Sequence, residues 1–121
     1  MSLTRTYDDD SWSLIENGRT LLTVKEAEEG GKILISLSGC LRSDMEQMFK
    51  DELIALMTVG EDVILDCKGL QYIASTCQDA LLSTQQTADS LNRGTLTLQN
   101  VPKTILEEFQ KTNLHELLMI E

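Results

Sequence analysis

The chain has 121 residues, with ten Lys and Arg against twenty Asp and Glu, and so carries a formal charge of −10; 41% of its residues are hydrophobic and 25% charged. Folding at this length buries roughly two thirds of the unfolded surface, enough for one domain with its own core, and the composition is globular rather than disordered. The acidic balance argues against unaided binding to nucleic acid or anionic lipid, which both need clustered Lys and Arg, and it favours basic partners.

Residues 1–18 are set apart as an acidic extension, with Asp8, Asp9 and Asp10 in a run before Trp12, Leu14 and Ile15; terminal segments of this kind are often poorly ordered. The domain proper is expected over residues 19–121. Leu22 and Val24 share one side of a short strand over 21–25, and Glu26 to Gly31 reads as an acidic hairpin turn ending in Gly-Gly. Ile33, Ile35 and Leu37 alternate with Leu34, Ser36 and Ser38, which predicts a half-buried strand ending at Gly39. Ser43 and Glu46 have the spacing of a capping box, and Met45, Met48, Phe49, Leu53, Leu56 and Met57 recur at helical spacing up to Gly60. Val63 to Cys67 is nearly continuous in apolar residues, as in a strand buried on both faces.

A second helix is expected from Ser75 to Asn92, with Cys77, Ala80, Leu81, Thr84, Ala88 and Leu91 inward and Gly94 as its left-handed stop. Thr95 to Gln99 alternates as a strand, Pro102 opens a third helix with Ile105, Leu106 and Phe109 inward, and Leu114 to Ile120 reads as a turn and a last strand. The predicted order is β-β-α-β-α-β-α, an α/β domain with helices packed on a mixed sheet.

Three short pieces carry a functional signal. Leu65-Asp66-Cys67 is followed by Ala74-Ser75-Thr76-Cys77, and Leu37-Ser38-Gly39-Cys40-Leu41 lies upstream. These resemble the STAS domain family of anti-sigma factor antagonists and sulfate transporter tails. There, a strand ending in Leu-Asp-Leu precedes Asp-Ser-Ser-Gly at a helix start, and Leu-Ser-Gly-x-Leu ends an earlier strand. Gly94 to Leu98 and Asn113-Leu114 match later family segments, so the resemblance runs over about residues 20–121. It implies a single STAS-like domain that binds a protein partner, an anti-sigma factor with serine-kinase activity or a related regulator. By position, Thr76 is the phosphoacceptor candidate, with Ser75 beside it.

The physics of the position is consistent with that role. Ser75 and Gln78 have capping-box spacing, and a helix N-terminus with free N–H groups accepts anions. The family Asp is replaced by Ala74, the Gly by Cys77, and the Asp after the Gly-x-Leu strand by Arg42, all near the implied partner surface of Arg42 and Ala74 to Cys77. Those departures leave open a non-phosphorylated scaffold of a signalling or transporter complex, or a small-ligand-binding STAS domain.

The remaining residues each have a plainer reading. Ser75 and Thr76 can serve simply as caps, and Cys77 as either a lowered-pKa thiol or a buried one. Asp66 at a strand end suits binding of loop N–H groups, and His115 suits the surface near a helix end. The three cysteines lack CxxC spacing and His115 is the single histidine, so no metal or other cofactor is expected. No catalytic constellation is present, so no enzyme is expected. An acidic, polar N-terminus without a membrane-length apolar run, and cysteines that read as reduced thiols, point to a cytoplasmic protein with no membrane insertion, and the family resemblance implies a bacterial one.

Overall fold

The computed structural model describes residues 3–58, 62–91 and 94–121. Four strands come first: β1 (Thr4–Tyr7), β2 (Ser11–Glu16), β3 (Arg19–Glu29) and β4 (Lys32–Leu41). Helices and strands then alternate through α1 (Glu46–Thr58), β5 (Val63–Ile73), α2 (Ser75–Leu91), β6 (Leu96–Gln99), α3 (Lys103–Lys111) and β7 (Met119–Ile120). All seven strands form one mixed sheet in chain order. β1 to β4 pair antiparallel, and β4 to β7 pair parallel across the helical connections. The predicted order is found from β3 to α3, followed by the expected turn and last strand, with two strands before it.

The first difference lies at the N-terminus, where residues 4–7 and 11–16 are strands of the sheet rather than a separate tail. Leu14 is 1% exposed and pairs with Leu22, so β2 closes the apolar core at that edge. The Arg5 guanidinium stacks 3.9 Å from the Trp12 ring and bonds Glu52 of α1 at 2.6 Å. Asn17 and Gly18, at φ +53° and +75°, form the tight turn between β2 and β3. Asn-Gly is a preferred pair for a two-residue hairpin because both central residues need positive φ.

The acidic stretch from Glu26 is likewise strand, and only Gly30 and Gly31 turn the chain between Glu29 and Lys32. β4 continues past Gly39 to Leu41, and β5 continues past Cys67 to Ile73. Their pairing is interrupted at two irregularities, between Ser36 and Ser38 and between Gly39 and Cys40.

Alternate strand residues face the core: Leu22 and Val24, Ile35 and Leu37, Val63 and Leu65, Leu96 and Leu98. Met45, Phe49, Leu53 and Met57 meet them from α1 and the turn before it, with Cys77, Leu81 and Ala88 from α2 and Ile105 and Phe109 from α3. On the other face Ile64, Asp66, Ser36 and Thr23 stay half-buried, so β5 is buried on one face rather than two. Leu91 is 51% exposed rather than inward, whereas the polar Gln78 and Gln85 are buried. Gln85 is satisfied there, accepting from the Leu96 N–H and donating to Asp89. Gly60 and Asn92, the expected ends of the first two helices, lie outside the described residues. No helix among the described residues is long and apolar enough to cross a membrane.

Candidate functional site

The parallel pair β4–β5 delivers Arg42 and Ala74 to the same end of the sheet. Leu41 pairs with Ile73, and one residue beyond each the chains separate into helices. The Ala74 N–H donates to the Leu41 carbonyl at 2.8 Å. The Ala74 carbonyl accepts the N–H groups of Cys77 and Gln78, both at 3.0 Å, which opens α2. The buried Cys77 thiol donates to the Arg42 carbonyl at 3.4 Å. Arg42, Ala74, Ser75, Thr76 and Cys77 are therefore brought together, although more than thirty residues separate the first from the rest.

The local chemistry differs from the expected capping boxes. Ala74 occupies the cap position of α2 and has no side-chain acceptor to offer. Gln78 does not reach back to Ser75; it is buried and donates to the Ile73 carbonyl at 3.3 Å and to Glu108 of α3 at 3.5 Å. At the other helix, residues 43–45 form a 3-10 turn that begins without a side-chain cap. At α2, tertiary contacts have claimed the Gln78 amide that a local box would use.

Two consequences follow for α2. Ser75 and Thr76 are exposed, and the first turn carries no acidic residue to neutralise the positive helix end. Cys77, by contrast, is fully covered. Burial pushes its thiol up to about 11, and the Glu46 and Asp44 charges add to the rise against a hydrogen bond with Thr76. The thiol is therefore protonated at neutral pH and is not the reactive thiolate that its helix-start position allowed. Burial and the Asp66 charge push Cys67 up to about 12.

The Arg42 guanidinium is held between two carboxylates. It bonds Glu16 of β2 through both terminal nitrogens, at 3.3 and 3.1 Å, and Asp44 at 3.1 and 2.6 Å. The Arg42 hydrogen bonds hold the Asp44 carboxyl below its usual range. Sequence reasoning named Arg42 but missed Glu16 as its partner, and missed Gln78 and Glu108 as the link from the α2 start to α3. Tyr72, 53% exposed beside the site, was also missed. Asp66 lies within β5 rather than at a strand end; it accepts the Lys68 N–H of the same strand at 3.0 Å and, from the loop after β6, the Asn100 side-chain amide N–H at 3.1 Å. His115 is half-buried, in the 3-10 turn at residues 114–116. Among the described residues no group of His, Cys, Asp and Glu is arranged to hold a metal ion.

A family model described as "Mlab, STAS domain" matches residues 24–121, most of the chain. The chain belongs to the STAS domain family. Solved STAS structures share its fold at low identity. An anti-sigma factor antagonist from Mycobacterium paratuberculosis is 12% identical, with a TM-score of 0.68 over 82% of this chain and 84% of that one. An anti-sigma-factor antagonist (STAS) domain protein from Planctomyces limnophilus is 17% identical, with a TM-score of 0.64 over 81% and 87%. The Bacillus cell fate determinant SpoIIAA in its phosphorylated form is 16% identical, with a TM-score of 0.61 over 81% and 90%. A search of curated proteins finds no match. The STAS family match begins within β3, so β1 and β2 lie outside it.

Proposed function

We propose that this STAS domain is a non-catalytic docking module of a bacterial, cytoplasmic partner-switching pathway, working as an anti-sigma factor antagonist does. Its partner, an anti-sigma factor with serine-kinase activity or a related regulator, docks on Arg42 and on Ala74 to Cys77. A phosphoryl group on Thr76, or on Ser75 beside it, switches docking off. The observation that supports this reading is the α2 start. Two exposed hydroxyls sit at a helix N-terminus whose own first turn carries no acidic residue, on a backbone held by the Leu41 carbonyl and by the Cys77 thiol on the Arg42 carbonyl. A rigid, exposed hydroxyl of this kind is accessible to a kinase, and phosphorylation adds close to two negative charges where a partner must lose water to dock.

The test is phosphopeptide mass spectrometry after incubation with a cognate serine kinase, together with partner binding by Thr76→Glu. We expect phosphate on Thr76 and binding weakened at least roughly tenfold by the glutamate, since a desolvated like charge opposes association. An unmodified Thr76 together with full binding by Thr76→Glu overturns the switch.

A second reading, a constitutive scaffold subunit of a signalling or transporter complex, draws on Ala74 and Cys77. The first puts no carboxylate at the cap, and the second adds a buried side chain where the family pattern has glycine. Pull-down from the native host separates the two: a kinase-type ATPase supports the switch, and a transporter ATPase supports the scaffold.

A further inference from the structure

The open face of the sheet holds a recess of about 310 Å³ where β3, β4 and β5 meet, lined in part by Arg19, Thr20, Ser38, Gly39, Cys40 and Gln71. Its volume is at the lower end of the range for small-molecule sites. Its chemistry runs against that of the chain. On a protein of charge −10, the recess has a guanidinium and no carboxylate in its wall. Hydroxyls of Thr20 and Ser38 and the amide of Gln71 add hydrogen-bond donors around it.

One lining residue, Gly39, is a glycine for a structural reason. Gly39 has φ +110°, and a Cβ there would stand 2.2 Å from the Leu21 carbonyl oxygen. The glycine lets β3 and β4 approach closely at this wall of the recess.

What frees Arg19 for a ligand is the arrangement of the nearest carboxylate. Glu16 lies directly across the tight turn from Arg19 in the β2–β3 register. Its carboxylate is instead taken by two bonds from Arg42. Asp66, on the same face, is occupied by the Lys68 N–H and by Asn100. Among the described residues Arg19 forms no ion pair within 4.0 Å, whereas Arg42 forms two.

We propose that this recess binds a small organic anion through a carboxylate or phosphate group, which Arg19 grips through its fork of N–H donors while Ser38, Thr20 and Gln71 complete the shell. A planar guanidinium suits both anions because two parallel N–H donors match two oxygens. The proposal stands apart from the docking role of α2.

The test is a titration of the 15N-labelled protein with inorganic phosphate and, separately, with acetate, at ionic strength held constant with chloride. We expect saturable shifts at the amides of Ser38, Gly39, Cys40 and Gln71, with the tighter of the two probes naming the anion class. Arg19→Glu should weaken binding by roughly tenfold or more, and Arg19→Lys by less, because a charge-assisted bidentate contact is lost in the first and only its geometry in the second. Arg19 is exposed, so neither substitution removes packing. Gln71→Ala, also at an exposed position, provides an independent probe of the same wall. Shifts that follow ionic strength alone, or equal affinity for wild type and Arg19→Glu, overturn the site.

Discussion

The N-terminal meander and the start of α2 meet through one residue, Arg42, and are held by opposite means. β1 and β2 are attached by side chains: Leu14 in the core, Arg5 against Trp12 and Glu52, and Glu16 on Arg42. The α2 start is attached by backbone carbonyls and a covered thiol, and its polar side chains are left at the surface. The contrast teaches where each region can change. A region held by side chains is sensitive to substitution at each of those anchors. One held by the backbone keeps its shape while its exposed residues vary, which is the property a docking surface requires.

The largest effect that can break this comparison is at Leu14. If β2 belongs to the core, Leu14→Ala should destabilise the whole domain by about 2–5 kcal/mol, as for other fully buried leucines. Urea unfolding should then show one cooperative transition at a lower midpoint. An unchanged midpoint would return residues 1–18 to the status of an appendage.

The next effect concerns the covered thiols. Cys67 and Cys77 are raised from an ordinary value of 9.0 to about 12 and about 11. An acid whose pKa is higher in the folded than in the unfolded state stabilises the fold fully below the unfolded value, and that contribution is lost as pH rises through the folded one. Stability should therefore fall from about pH 9 up to about pH 11 for Cys77 and about pH 12 for Cys67, and the fall should be shallower in Cys77→Ala. Equal slopes for the two proteins would show that Cys77 is not held protonated.

The smallest effect sharpens the other side of the contrast. Ala74→Ser places a side-chain acceptor at the α2 cap and should raise stability by about 1 kcal/mol. A loss instead would mean that the pocket around the nearly covered Ala74 has no room for one oxygen.

Much of the architecture is readable from residue patterns. Alternation at Ile33, Ile35 and Leu37 and helical spacing from Met45 to Met57 place the β4 strand and the α1 layer, because burial of one face imposes those periods. The N-terminal strands were also partly legible: Asn17-Gly18 is a hairpin signal, overshadowed by the acidic run before it. Neither capping box formed, because a box is a local competition. At the α2 start, burial of Gln78 under α3 and the pinning of Ala74 to Leu41 decided it from outside.

What the sequence alone determined is the α/β order, the STAS resemblance and the position of Ser75 and Thr76 at a helix start. These rest on contacts between near neighbours or on the period of one element. The tertiary structure decided that Arg42 is spent on Glu16, twenty-six residues away, that Cys77 is covered, and that Arg19 is left without a carboxylate. Each depends on which strand lies beside which. Strand pairing is set by the burial of the whole sheet, and no short stretch of the chain records it.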